Sequence, residues 1–188
     1  MGSIEKGYKS RNKPNVNENA KWKQGYFRAS HPEKCLSREN IYRSSWEYSF
    51  MRWCDTNQKV VRWASEPIPV NYMNPIANIE YCRKNGINPK DPKNWKPARY
   101  WTDFWIEMEG SDGKLSKIFI EIKPFSQTQP PKPLPSNASL KEHKAYNRDA
   151  ETFLVNSAKW AAAKRYFESK GAKFMVFTEH TLERLGCL

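Results

Sequence analysis

An aspartate, a glutamate and a lysine fall within one short segment of the chain: Asp103, Glu121 and Lys123. Two neighbouring carboxylates repel each other unless a cation lies between them, and hard divalent cations prefer oxygen ligands. A lysine ammonium beside such a pair can orient an attacking water or stabilise charge on a phosphate oxygen. This combination suits hydrolysis of a phosphodiester at a magnesium site.

The surrounding sequence predicts a β-hairpin that brings the three side chains together. An aromatic-rich strand at residues 100–108 is followed by a glycine-containing turn and a second strand at residues 117–123. Side chains alternate between the faces of a strand, so Glu121 and Lys123 share a face, and in-register pairing can place Asp103 beside Glu121. The same residue types also occur as an ordinary solvated face with a cross-strand ion pair. Spacing alone leaves both interpretations open.

The charge of the chain indicates a polyanionic partner. Its 188 residues include 32 Lys and Arg against 20 Asp and Glu, a net charge of +12. Aromatic residues interleaved with basic ones favour nucleic acid, although an anionic membrane surface would also fit the charge. No apolar run approaches transmembrane length and no signal-peptide pattern opens the chain, so we expect a soluble intracellular protein with no membrane partner.

The cysteines and histidines do not support other kinds of site. The four cysteines are widely scattered and form no C-x-x-C pair, which argues against a zinc ribbon or a redox motif and predicts reduced thiols. The three histidines are equally dispersed. A histidine-based metal site or a Ser-His-Asp triad therefore has little support.

The first 40 residues differ in composition from the rest of the chain. They are polar and basic, and they include the aromatic residues Trp22, Tyr26 and Phe27. This composition predicts an extended basic arm at residues 1–40 that is flexible or ordered by a partner. The arm either follows a phosphate backbone or docks on an assembly, or it is a solvated tail. Residues 41–188 then form one folded domain.

The remaining pattern predicts an α/β fold with helices on both faces of a central sheet. Besides the hairpin, the predicted elements are a helix at residues 44–55, short strands at 59–63 and 68–72, a long excursion at 74–99, a proline-rich loop, a helix at 140–170, a strand at 173–178 and a closing helix. The last strand is expected to run parallel to the second hairpin strand through the long helical crossover. The core-facing side of the long helix is expected to include Phe153, Leu154, Trp160, Ala161 and Phe167.

A further acid, Glu47, lies in the early helix. It is about 100° round the helix from Trp46 and so borders the apolar stripe, from which it can face the sheet. Arg43, one turn earlier, can pair with Glu47 or reach a phosphate. An acid in the first turn is also favoured by the helix dipole alone, and the local sequence favours this simpler interpretation.

Four blocks of the sequence resemble one group of nucleases in order and spacing: YRSSWEYSFMRWCD, VVRWASEPIPVNY, YWTDFW and IEIKP. Within them, Glu47, Asp103 and the segment Glu121-Ile122-Lys123 look like the PD-(D/E)XK nuclease signature. The blocks are similar to those of head-completion nucleases of tailed phages and, more distantly, of the endonuclease subunit of certain transposases. The resemblance covers about residues 42–178. It implies a restriction-endonuclease-like fold, with a mixed central sheet flanked by helices, and DNA hydrolysis that depends on magnesium or manganese.

The resemblance also implies a role for each residue of the signature. Asp103 and Glu121 would be metal ligands, with the Ile122 carbonyl as a third protein oxygen. Glu47 would complete the metal shell directly or through water, and Lys123 would orient the nucleophile. The threonine before Asp103 departs from the family, which often has proline there, but that position shapes the turn and does no chemistry.

Two polar residues one turn apart in the long helix, Asn156 and Lys159, are candidate contacts to the scissile phosphate, and Arg43 is a third candidate contact to DNA. Surface placement accounts for the spacing of Asn156 and Lys159 equally well.

We therefore expect a metal-dependent endonuclease that hydrolyses double-stranded DNA by attack of a metal-activated water. The resemblance suggests that it acts on packaged or terminal DNA, in the virion and the host cytoplasm, with phage head or neck proteins as further partners. The alternative is a non-catalytic DNA-binding structural protein of the virion head or neck, in which the acidic cluster is inert. An RNA-binding module is less favoured because no RNP, KH or dsRBD pattern occurs.

Overall fold

The predicted hairpin forms the centre of the main sheet in the computed structural model, which describes residues 24–188. In chain order the elements are β1 (Gly25–Phe27), β2 (Asn40–Tyr42), α1 (Ser45–Thr56), β3 (Val60–Ser65), β4 (Pro69–Met73), α2 (Pro75–Lys84), β5 (Pro97–Trp101), β6 (Phe104–Glu109), β7 (Leu115–Ile122), α3 (Leu140–Glu168), β8 (Lys173–Phe177) and α4 (Glu179–Arg184). Short 3-10 turns lie at Pro92–Asn94 and Phe125–Gln127.

The main sheet is mixed and has the strand order β3-β6-β7-β8. The first three strands are antiparallel neighbours, whereas β8 runs parallel to β7. The chain makes this parallel connection through α3, as the sequence predicted. Two smaller antiparallel sheets, β1-β2 and β4-β5, complete the described strands.

Alternation along the central strands gives the main sheet two apolar faces. On one face, Phe104 of β6 and Ile120 of β7 pack with Phe50 of α1, in a cluster that also includes residues of β8 and α4. On the other face, Trp105 and Phe119 belong to a cluster with residues of α3 and the β4-β5 sheet. Helices thus cover both faces, which confirms the predicted α/β architecture.

The aromatic segment at residues 100–108 is not the single strand that the sequence predicted. β5 ends at Trp101 and pairs with β4, whereas β6 begins at Phe104 and pairs with β3 and β7. The chain passes from one sheet to another through Thr102, which is fully buried, and Asp103. Asp103 therefore lies in a connection between two sheets, and its position is fixed by both.

The segment at residues 74–99 contains a helix, α2, that the sequence analysis did not predict. The Asn74 side chain caps its N-terminus by accepting the Ala77 N–H, and Pro75 occupies the first turn. This arrangement is typical of helix starts, because proline's missing N–H is not needed there. The Asn-Pro pair was the signal that could have located the helix.

The long helix α3 extends over 29 residues and begins with a capping box formed by Ser139 and Glu142. Its buried residues are Asn156, Ala163 and Phe167. Leu154 and Ala161 are exposed, so the predicted core-facing side was wrong at these two positions. None of the helices described in residues 24–188 is long and apolar enough to cross a membrane.

Residues 24–40, the described part of the predicted arm, pack against the domain. β1 pairs with β2, and the Ser30 and His31 amides donate to the carboxylate of Asp55 near the end of α1. The Lys34 ammonium donates to the Asp55 and Asn57 carbonyls in the same region. The rest of the predicted arm, residues 1–23, lies outside the described residues.

Candidate active site

Asp103 is held at the junction of the two sheets by main-chain groups. Its Oδ2 accepts a 2.7 Å hydrogen bond from the Ile122 amide, and its carbonyl accepts a 2.9 Å bond from the Glu66 amide. The neighbouring pair Phe104 and Ile120 is in register, so Asp103 extends the same ladder toward Glu121. The structure therefore brings together the two acids that the sequence predicted to be neighbours.

Lys123 lies between these acids. Its Nζ is 3.0 Å from Glu121 Oε1 and 3.9 Å from Asp103 Oδ2. The Glu121 side chain is 4% exposed, whereas about a quarter of the Lys123 side chain reaches solvent. The backbone N–H of Lys123 donates to the Phe177 carbonyl of β8 and so fixes the end of the motif in the sheet. The backbone of Lys123 is thus fixed in the sheet, while its ammonium lies beside the carboxylates of Asp103 and Glu121.

The electrostatics of this cluster show an excess of negative charge. Burial and the Glu121 charge raise the pKa of the Asp103 carboxyl well above its usual range, against the opposing effects of Lys123 and the Ile122 N–H. Burial lowers the pKa of Lys123, but the charges of Asp103 and Glu121 outweigh it and raise that pKa overall. A buried acidic group that favours protonation is a group that an added cation would stabilise.

Glu47 lies at the N-terminus of α1. Its backbone N–H donates to Ser44 Oγ, the N-cap, while its carboxylate accepts a 2.7 Å bond from the Arg43 N–H and a 3.2 Å bond from the Ser44 hydroxyl. Burial raises the pKa of Glu47, and the Glu47 charge in turn raises the pKa values of Asp103 and Lys123. Glu47 is therefore both a first-turn acid and an electrostatic neighbour of the cluster.

The donor atoms at this site fit a hard divalent cation in chemical type. Asp103, Glu121 and the main chain at Ile122 provide oxygen atoms only, the ligands that magnesium and manganese prefer. Among residues 24–188, however, no three His, Cys, Asp or Glu side chains are grouped closely enough to hold a metal. The structure thus shows a pair of carboxylates, Asp103 and Glu121. Glu47 lies near this pair, but the three acids do not form a closely spaced group.

Two of the candidate DNA contacts lie on α3, and one of them, Lys159, lies next to the cluster. Lys159 Nζ is 5.6 Å from the centre of the Tyr100 ring, whose hydroxyl contacts Glu121, and burial lowers the Lys159 pKa. Asn156 is 6% exposed and lines, with Lys159, a cavity of about 410 Å³ between α2 and α3. Within residues 24–188 its amide group makes no hydrogen bond, which leaves both its donor and its acceptor available to a ligand.

Arg43 has a different contact from the two that the sequence suggested. Its Nη1 is 2.7 Å from Glu66 Oε1, and about 40% of its side chain is exposed. Its contact with Glu47 is made by its backbone N–H and not by its guanidinium. The guanidinium has other N–H donors besides the one that Glu66 accepts.

Sequence reasoning missed Tyr100. Its hydroxyl donates a 2.7 Å hydrogen bond to Glu121 Oε2, so Glu121 has one oxygen on Tyr100 and the other on Lys123. Burial and the Glu121 charge raise the pKa of Tyr100, which keeps its hydroxyl protonated and therefore a donor. No local signal marks this role, because a tyrosine in an aromatic strand is typical of a core residue.

Comparisons with known proteins identify the family of this chain. The family model for the TnsA-like endonuclease N terminal matches residues 57–179, which include Asp103, Glu121 and Lys123 but begin after Glu47. The chain is also 35% identical over 145 residues to the head completion nuclease of Enterobacteria phage T4, which covers 77% of this chain and 82% of that protein. The chain therefore belongs to the TnsA-like endonuclease family, a group of restriction-endonuclease-like nucleases related to phage head-completion nucleases.

Proposed function

We propose that this protein is a metal-dependent endonuclease that hydrolyses double-stranded DNA in the completion of phage heads. The observation that supports this most directly is the cluster of Asp103, Glu121 and Lys123, in which one buried and one partly exposed carboxylate lie beside a partly exposed ammonium. The relative from phage T4 adds the biological setting, since it is a head completion nuclease. In that setting the substrate is packaged or terminal DNA, and the protein acts in the virion and the host cytoplasm, in contact with head or neck proteins.

The proposed cofactor is Mg²⁺ or Mn²⁺. Asp103 and Glu121 would hold it with their carboxylates, the Ile122 carbonyl would add a third oxygen, and Glu47 would contribute directly or through water. When bound, such an ion supplies a Lewis acid and lowers the pKa of a bound water. The raised pKa of Asp103 supports this assignment, because a second positive charge would relieve the repulsion between the two acids.

The residues around the cation site have separate tasks in this proposal. Lys123 orients the attacking water or neutralises charge on a phosphate oxygen, since its ammonium lies beside both acids and its side chain is partly exposed to solvent. The Ile122 amide holds Asp103, and the Tyr100 hydroxyl holds Glu121. Both acids are therefore fixed before substrate arrives, which reduces the reorganisation required during the reaction.

The DNA is proposed to lie across α3 beside the cluster. Lys159 is placed over Tyr100 at the edge of the acidic pair, where its ammonium can contact the scissile phosphate. Asn156, one turn away and without a hydrogen-bond partner in the described part of the chain, is suited to the same phosphate or its neighbour. Arg43 is a third candidate, through the guanidinium donors that Glu66 does not accept.

Two observations fit a second function, the non-catalytic alternative. Lys123 already neutralises Glu121 at 3.0 Å, and no group of three metal-binding side chains exists in residues 24–188. A protein of this charge could hold DNA in the virion head or neck with an inert acidic cluster. The two functions differ in whether the cluster breaks a bond.

Cleavage of supercoiled plasmid DNA tests the proposal. Wild-type protein and Asp103→Asn are each incubated with plasmid in EDTA, in Mg²⁺ and in Mn²⁺, and DNA binding is measured in parallel. We expect nicked or linear product from the wild type only with a divalent cation, and none from Asp103→Asn in Mg²⁺. Tight binding by both proteins without cleavage in either metal would instead support the structural role.

A further inference from the structure

Glu66 has an unusual backbone conformation close to the acidic cluster. Its φ is +43°, and it is the one residue other than glycine with a positive φ in the described range 24–188. An L-residue rarely adopts this region, and a charged residue there is strained unless the surrounding structure fixes it. Such outliers are concentrated at functional sites, so the contacts of Glu66 can show whether it serves the acidic cluster.

The residue before Glu66 is fixed by the segment that precedes α1. The Ser65 amide donates a 2.9 Å hydrogen bond to Ser37 Oγ, and the Ser65 hydroxyl donates a 2.9 Å bond to Asn40 Oδ1. All three residues are buried. The chain after Glu66 is constrained as well, because Pro67 has a fixed φ. The strained conformation is therefore imposed from both sides.

This conformation lets Glu66 contact two parts of the site at once. Its backbone N–H donates a 2.9 Å hydrogen bond to the Asp103 carbonyl, in the connection between the two sheets. Its carboxylate lies 2.7 Å from Arg43 Nη1, and the Arg43 N–H donates a 2.7 Å bond to Glu47 Oε2. Glu66 thus joins the backbone that carries Asp103 to the residue that holds Glu47.

We propose that Glu66 is a positioning residue that sets Glu47 relative to Asp103. The proposal rests on the proposed nuclease function, because it assigns Glu66 to that same site. Glu47 belongs to α1 and Asp103 to the junction of β5 and β6, so the two acids come from different elements. Glu66 acts on Glu47 through its side chain, which binds Arg43. It acts on Asp103 through its main-chain N–H.

Two substitutions separate these contacts. Glu66→Gly keeps the N–H that binds Asp103 and suits the positive φ, but it removes the carboxylate that binds Arg43. Glu66→Gln keeps the shape and removes the charge. We expect both variants to lose about 10- to 100-fold in kcat for plasmid nicking, a range typical of residues that orient metal ligands, with little change in KM. The melting temperature of Glu66→Gly should equal or exceed that of the wild type.

Glu107→Gln is the matched control. Glu107 also forms an ion pair with an arginine, Arg62, at 2.9 Å, and it is buried in β6 near the end remote from Asp103. We expect this substitution to lower the melting temperature and to leave kcat unchanged. If Glu66→Gln behaves in the same way, with lower stability and an unchanged kcat, the positioning role is excluded.

A double-mutant cycle connects the effect to Glu47. If Glu66 acts through Glu47, the double variant Glu47→Gln/Glu66→Gly should lose no more activity than Glu47→Gln alone. Losses that multiply would show that Glu66 does not act through Glu47 and would overturn the proposal. This comparison assumes an active wild type, so an inactive wild type in the same assay contradicts the nuclease function instead.

Hydrogen exchange gives a measurement that does not depend on activity. The Arg43 amide donates to Glu47, and Glu66 holds the Arg43 side chain. In metal-free protein, Glu66→Gly should speed exchange of the Arg43 amide and leave the Ile122 amide, which donates to Asp103, as protected as in the wild type. An unchanged Arg43 exchange rate would mean that Glu66 does not hold this end of the site.

Discussion

The Ile122 amide donates a 2.7 Å hydrogen bond to Asp103 Oδ2. The middle residue of the Glu121-Ile122-Lys123 segment therefore orients the other acid of the site through its main chain. Because Ile122 also pairs with Phe177 in the parallel ladder, the position of Asp103 depends on the register between β7 and β8. The geometry of the two acids is thus a property of the whole sheet, and single side-chain changes should alter chemistry more than folding.

Lys123→Ala should abolish plasmid cleavage in Mg²⁺ and leave DNA binding nearly unchanged. Among residues 24–188, its ammonium is the one that forms ion pairs with both Asp103 and Glu121, whereas the chain has 32 Lys and Arg residues that can contribute to affinity. Nicking and filter binding are measured on the same preparation. The control is Lys114→Ala, whose side chain is 84% exposed and which should cleave normally. Loss of binding in parallel with cleavage would contradict a catalytic role for Lys123.

Asp103→Asn should stabilise the metal-free protein at neutral pH. The pKa of Asp103 is higher in the folded state than in the unfolded state, where it is about 4. Asp103 therefore adds most to folding stability below about pH 4, where it is protonated in both states. This stability is lost as the pH rises through the folded-state pKa. We therefore expect the variant to be more stable than the wild type at pH 8.

The measurement is thermal melting of both proteins in EDTA across pH 4 to 8. The advantage of Asp103→Asn should shrink as the pH falls toward 4, because the wild-type carboxyl is then protonated. A wild type that gains stability over the variant as the pH rises would show that Lys123 and the Ile122 amide dominate the environment of Asp103.

Local sequence was sufficient to predict the elements whose signals are local. The alternation of Ile118, Ile120 and Ile122 defines one face of β7, and the serine before α1 caps that helix as its position suggests. The acidic pair with its lysine also followed from the two-residue period of strands, since strand register determines which side chains are neighbours. These features need no information about distant parts of the chain.

Nonlocal pairing explains what the sequence analysis missed. In the structure Trp101 pairs with Pro69, whereas Phe104 pairs with Ser65 and Ile120. Nothing in the aromatic run indicates this change of partner strand. The interruption between β5 and β6 at Asp103 therefore could not be predicted. The contact of Tyr100 with Glu121 depends on that break and was missed with it. A helix pattern likewise cannot show that Leu154 remains exposed, because exposure depends on what packs against α3.

Tyr100→Phe should lower cleavage by about 10- to 100-fold with little effect on DNA binding. The variant removes the hydroxyl that donates to Glu121 Oε2, and residues that orient metal ligands typically have effects of this size. Tyr72→Phe is a suitable control, because Tyr72 lies 6.2 Å from Tyr100 between ring centres in the same apolar cluster. Equal activity of Tyr100→Phe and wild type at limiting Mg²⁺ would remove Tyr100 from the site.

DNA affinity should fall steeply as salt concentration rises. A chain with a net charge of +12 is expected to bind mainly by displacing counterions from phosphates. A protein that contacts six or more phosphates loses about 10³-fold or more in affinity between 50 and 200 mM salt. Binding isotherms at several salt concentrations give the slope. A flat dependence would mean that the charge serves a partner other than DNA.

Glu47→Gln tests whether this acid serves the helix or the site. Burial raises the pKa of Glu47, so a neutral glutamine should leave the metal-free protein about as stable as the wild type, or slightly more stable. If Glu47 were only a helix-dipole acid, the same change would cost a few tenths of a kcal/mol up to about 1 kcal/mol and would spare activity. We expect instead that plasmid cleavage drops by orders of magnitude.

Glu142→Gln is the matched control for this experiment. Glu142 occupies the same position in α3, three residues after its serine N-cap, but it is exposed and its pKa is lowered by the Ser139 side chain and backbone. Melting in EDTA and nicking in Mg²⁺ are measured for both variants. Glu142→Gln should be destabilised with full activity, whereas Glu47→Gln should be stable with little activity. A Glu47→Gln protein that is destabilised and fully active would assign Glu47 to the helix alone.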